Sequence, residues 1–145
     1  MNRVPSAILT AAVGTVFPLV MVFSLYLLFA GHNQPGGGFA GGMVAAAALS
    51  LAYLAGGTRG LHRMVGIPAS TVLGGGLLLA MVVALTPMAF GLGFMESVVW
   101  EFTLPLVGTV KLVSVLFFDA GVYAVVAGLA LLLLEALGDT EGVGA

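Results

Sequence analysis

Asp119 is the residue of this sequence best placed to do chemistry, because it interrupts the long apolar run 106–137. An ionised group near the middle of a ~30 Å hydrocarbon core is costly, so such residues face a bundle interior or an aqueous cavity and often mark proton or ion paths. A carboxylate there can hold either a proton or a metal cation, which makes Asp119 a candidate for transient Na+ binding. The alternative is a carboxylate paired with a basic group of a neighbour for assembly alone. Tyr123, one helical turn later, can donate a hydrogen bond on the same face or simply pack at an interface. Lys111 joins the ion-path or interface candidates. Its place eight positions before Asp119 puts it ~12 Å along a shared helix and ~80° around it, too far for direct contact.

The other concentration of polar groups is Gly31-His32-Asn33-Gln34-Pro35-Gly36-Gly37-Gly38-Phe39-Ala40-Gly41-Gly42. Its candidates are His32, Pro35, Gly36, Gly37, Gly38 and Phe39. An imidazole such as His32 can exchange protons near neutral pH, as an outer-face relay requires, or serve as an interfacial hydrogen-bonding group. Pro35 drives Gln34 toward an extended shape. The glycines open conformations closed to other residues and let another chain approach the backbone. Non-helical backbone at membrane depth is tolerated only where protein or water covers it, so part of this segment can dip into a bundle; the alternative is a plain external turn. Residues 36–41 formally match G-x-G-x-x-G, but a dinucleotide site needs a preceding strand in a soluble βαβ unit. Here a membrane-length apolar run precedes it, and no P-loop lysine follows.

The elements that position these residues follow from composition. Of 145 residues, 61% are hydrophobic and 7% charged, with mean hydropathy +1.21, whereas soluble domains carry charge on about a quarter of their residues. Apolar runs at 7–30, 39–55, 70–90 and 106–137 approach or exceed the ~20 residues that span a bilayer, the second being short and the fourth long. The first exceeds the roughly 7–15 residues of a signal-peptide core. Backbone in lipid must satisfy its own hydrogen bonds, so the runs should be helices. The expected fold is an all-α integral membrane bundle of four transmembrane helices in a single domain, residues 1–145. Pro18 and Pro87 should each kink a helix. Arg3, Arg59 and Arg63 share a side that the positive-inside rule makes cytoplasmic, together with both termini. His62, beside the last two, is expected among lipid headgroups. In the outer connection, Met95, Val98, Val99 and Phe102 recur at helical spacing with Glu96 and Glu101 pointing away. That pattern reads as a short surface helix with Trp100 at headgroup level, or else as an irregular loop. Gly38, Gly42, Ala46 and Ser50, and likewise Ala120, Ala124 and Gly128, form rows that permit close helix approach, unless the abundance of small residues alone accounts for them.

Several function classes drop out. Without cysteine there is no disulfide framework or thiolate metal site. Four basic residues and a net charge of -2 offer nothing to the phosphates of a nucleic acid. No nucleophile–base set, metal-ligand cluster or carboxylate pair can be assembled, so neither enzyme activity nor a cofactor is expected.

Two segments together resemble the MnhB/MrpB subunits of the Mrp/Mnh-type multisubunit Na+/H+ antiporters, a family of monovalent cation/proton exchangers. The segment from Gly31 to Gly42 looks like that family's GHNxPGGGFxGG signature. Phe118-Asp119-Ala120-Gly121-Val122-Tyr123 looks like its FDxGVY signature. Neither departs from the pattern, and the resemblance covers nearly the whole chain. It implies a multi-pass subunit of a bacterial or archaeal plasma-membrane complex. Large antiporter-like subunits, related to membrane subunits of respiratory complex I, would carry the proton channels and work with this and other small subunits on Na+ and H+. Three roles stay open: a contribution to the ion path, a purely structural scaffold of that or a related complex I-like assembly, or an autonomous small channel.

Overall fold

A computed structural model describes residues 7–31, 36–89, 99–104 and 108–143. Four long helices, α1 (Ala7–Ala30), α2 (Gly38–Val65), α3 (Ala69–Ala89) and α4 (Ser114–Val143), account for most of them. Each is long and apolar enough to cross a membrane, as the four apolar runs require. Pro18 lies within α1 and Pro87 in the last turn of α3.

The helices pack in the spatial order α1, α2, α4, α3, with α1 touching α4 only slightly. The core is built from small and branched side chains, among them Val13, Ala45, Leu49, Ala52, Ala55, Ala127 and Leu131. Lipid offers no hydrophobic drive for helix association, so contact depends on close van der Waals approach. The α3–α4 seam shows how close: a methyl group at Gly76 would lie 2.7 Å from Ala124 Cβ, and one at Gly128 would lie 2.6 Å from the Leu73 nitrogen. Ala124 and Gly128 of the predicted row thus meet α3, with Gly121 beside them against Ala80. In the α2 row, Gly38 and Gly42 are buried while Ala46 and Ser50 are only half-buried. The inner face follows Gly38, Gly41, Gly42, Ala45, Ala48, Leu49 and Ala52 instead, because 3.6 residues per turn carries a strict fourfold row around the helix.

Three features depart from the sequence expectations. First, α2 does not stop near residue 55 but continues to Val65 across a break at Gly57, whose φ of 61° and ψ of -162° are not helical. Its end is capped by Gly66 in the left-handed conformation, whose N–H donates to the His62 carbonyl at 2.9 Å. Second, Val99–Leu104 is a strand, β1, paired antiparallel with β2 (Gly108–Val113). A surface helix over Val99 and Phe102 is therefore excluded; Met95, Glu96 and Val98 lie outside the described residues. Valine, threonine and aromatic residues favour a pleated strand, and their spacing there mimicked a helical face. Trp100 lies in β1, and the register sets Glu101 opposite Lys111. Third, α4 begins at Ser114, not near 106.

Candidate functional site

The late start of α4 moves Asp119. It follows Ser114 by five positions, about 7.5 Å of helical rise. The carboxylate therefore sits near one end of its span instead of mid-membrane. Lys111 is on β2, not on the helix that carries Asp119.

That end of α4 meets the turn between α1 and α2. The last four carbonyls of a helix lack intrahelical donors. Here the chain doubles back so that the Gly37 N–H donates to the Leu27 carbonyl of α1 at 2.9 Å. Gly37 then starts α2, its carbonyl accepting from the Gly41 N–H at 3.0 Å. Its φ of 102° lies where side chains are strained, so glycine is required for conformation. The neighbouring glycines are required for space. A methyl at Gly36 would lie 2.5 Å from the Leu27 carbonyl oxygen, and one at Gly38 would overlap the Asp119 carbonyl. Gly37 and Gly38 are buried, whereas Phe39 projects outward and is exposed. His32 and Pro35 lie outside the described residues.

Asp119 Oδ2 is 3.4 Å from the place a Cβ would occupy at Gly37. The carboxylate thus lies against the first turn of α2, where free backbone N–H groups and the helix dipole favour negative charge. One turn deeper, Tyr123 packs against Gly41: its Cδ2 is 3.2 Å from a Cβ built there. The Tyr123 hydroxyl reaches α1, lying 2.8 Å from Ser24 Oγ, while Ser24 Oγ donates to the Gly41 carbonyl at 2.9 Å. Ser24 is fully buried. One hydroxyl thereby ties α1, α2 and α4 together.

Ser24 escaped the sequence reading for a physical reason. Hydroxyls in apolar helices usually bond the carbonyl four residues back, as Thr15 does with Ala11, Ser50 with Ala46 and Thr86 with Val82. Nothing in the sequence marks Ser24 as bonding across helices. His62, expected among lipid headgroups, is half-exposed, and its Nε2 lies 3.6 Å from Glu135 Oε1 on α4, at the opposite end of the bundle from Asp119. Among the described residues, no cluster of three or more His, Cys, Asp or Glu could hold a metal ion.

The family model described as "Domain related to MnhB subunit of Na+/H+ antiporter" matches residues 8–132. The chain belongs to the MnhB family. Among relatives of this MnhB-family chain, the Na(+)/H(+) antiporter B subunit of Bacillus subtilis (strain 168) is 34% identical over 134 residues, 92% of this chain and 94% of that protein. A probable K(+)/H(+) antiporter A/B subunit of Rhizobium meliloti (strain 1021) is 35% identical over 84% of this chain but only 12% of its own length. Among solved structures, the Mrp complex from Dietzia sp. DQ12-45-1b contains a chain that superimposes with a TM-score of 0.78 and 28% identity, covering 90% of this chain and 14% of that one. In those last two proteins the MnhB-like part is a small share of a longer polypeptide. The Gly36–Gly38 turn and the Asp119–Tyr123 face, which the structure brings together, lie within the matched region.

Proposed function

We propose that this chain is a small membrane subunit of a multisubunit monovalent cation/proton antiporter, and that its Asp119 end helps line the ion path. The observation that carries the reading is the placement of Asp119 against the glycine turn at the junction of α1, α2 and α4, in a chain of the MnhB family. A carboxylate one to two turns inside a span is reachable from the membrane face, and the α2 N-terminus supports its charge without a basic side chain. Sodium and protons are its proposed cargo, in keeping with its Na(+)/H(+) antiporter relatives. No cofactor is called for. The proposed partners are the large antiporter-like subunits and other small subunits within the lipid bilayer of a prokaryotic plasma membrane. Relatives in which the MnhB-like part is joined to a much longer chain support one of the large subunits as the immediate neighbour.

Asp119→Asn tests this, since the amide keeps the shape and removes the charge. In the purified complex, incorporated into sodium-loaded vesicles, the variant should assemble normally and lose most Na+/H+ exchange. Normal assembly with unchanged exchange across pH would overturn the ion-path reading. A scaffold role has its own support in the interhelical contacts that exclude even a methyl group. It predicts that Asp119→Asn depletes the subunit from the complex instead.

A further inference from the structure

We infer that Ser24 is a positioning residue for cation exchange: by accepting the Tyr123 proton, it keeps the phenol from donating to the Asp119 carboxylate. The inference deepens the ion-path reading and rests on it.

Counting donors and acceptors fixes the direction of each contact. A serine hydroxyl has a single proton, and a carbonyl can only accept. Because Ser24 Oγ donates to the Gly41 carbonyl at 2.9 Å, the 2.8 Å contact with Tyr123 Oη must run the other way, from the phenol to Ser24. Tyr123 is left with lone pairs only. Ser24 is fully buried and Tyr123 half-buried, so the bond is partly withdrawn from water. Aspartate and tyrosine four residues apart share a helix face, and a long helical side chain leans back over the preceding turn. Released from Ser24, the phenol would find Asp119 the strongest acceptor on that face, and a charge-assisted bond is roughly twice as strong as a neutral one. Such a bond would occupy the oxygen that a cation or proton needs. As built, the Tyr123 proton is committed to Ser24, which leaves the Asp119 carboxylate to a visiting cation.

The test uses the purified multisubunit complex, in detergent for spectroscopy and in vesicles for exchange. The infrared bands of the Tyr123 phenol, isolated as the difference between wild type and Tyr123→Phe, report its donor state without any transport. Ser24→Ala should shift those bands. It should also raise the sodium concentration for half-maximal exchange about fivefold, the size of one lost or competing hydrogen bond, with the maximal rate little changed. Tyr123→Phe, having no proton to donate, should leave Asp119 free. Adding it to Ser24→Ala should return half-saturation toward the wild-type value, a rescue that loosened packing would not give. Unmoved phenol bands in Ser24→Ala would overturn the inference. So would shifted bands with unchanged half-saturation, or a double variant no better than Ser24→Ala. Should Ser24→Ala fail to assemble, Ser24→Cys, a weak donor and acceptor of similar shape, is read by the same criteria. A wild-type complex without sodium exchange would sink the proposed function, while the phenol bands would still test the hydrogen-bond chain.

Discussion

At the residue scale, the glycines divide by what surrounds them. A Cβ at Gly38 would collide with the Asp119 backbone, whereas a Cβ at Gly75 on α3 meets nothing within 4 Å. Overpacking a tight helix contact typically costs about 1–3 kcal/mol, while Gly→Ala in an open helix position gains up to about 1 kcal/mol from propensity. Gly38→Ala should therefore lower the thermal midpoint of the purified chain in detergent, and Gly75→Ala should leave it unchanged or raise it. Equal effects would mean that the α2–α4 contact is not as close as described. The candidate site was partly legible at this scale. Asp119 stands out because a charge in an apolar run has few bland explanations, and the glycine run stands out by density. Which glycines need space and which need conformation could not be read, since that depends on what α1 and α4 bring against them. Ser24 was invisible because a hydroxyl in a helix can satisfy itself.

At the element scale, the break at Gly57 directs the second part of α2. With φ at 61° and ψ at -162°, the position is closed to side chains, although a Cβ there would meet open space. The constraint is conformational alone. Beyond the break, Leu61 is buried and Thr58 lies against Gly138 of α4. The half-exposed His62–Glu135 pair adds little, as solvent-screened pairs do. Thr58 Cβ is 3.5 Å from a Cβ built at Gly138, within the separation a disulfide bridges. The chain has no cysteine of its own. Thr58→Cys with Gly138→Cys should cross-link on mild oxidation, seen as a mobility shift that reductant reverses. Adding Gly57→Ala should suppress it by straightening the helix and swinging residue 58 away. Cross-linking that is insensitive to Gly57→Ala would refute the break as the directing feature. The four spans were legible because long apolar runs in lipid have one solution. The hairpin was not: residues 108–113 lead directly into the apolar run of α4, and the alternation of Thr109, Val110, Lys111 and Leu112 ends at Val113, too short a pattern to separate strand from helix.

At the scale of the whole molecule, the two ends of the bundle differ in chemistry. One gathers Asp119, the glycine turn and the hairpin with Lys111; the other gathers Arg59, His62, Arg63 and Glu135. Basic residues flanking spans favour the cytoplasmic side, whereas acidic residues contribute little to orientation. The Arg59–Arg63 end should therefore face the cytoplasm, with the Asp119 end outward. Four spans return the C-terminus to the arginine side, and Arg3 before α1 agrees. A reporter enzyme that folds only outside the cytoplasm should be active when fused after residue 104 and inactive after residue 143, and a cytoplasmic fluorescent reporter should show the reverse. Activity of the first reporter at the C-terminus would invert the molecule and put Asp119 at the cytoplasmic mouth. Charge also decides how firmly the orientation is held. With only four basic residues in the chain, replacing both Arg59 and Arg63 by Gln removes half of them, leaving Arg3 to oppose Lys111. That variant should give mixed orientation in the same assay, while Glu135→Gln, which breaks the ion pair but leaves the basic residues alone, should keep a single one.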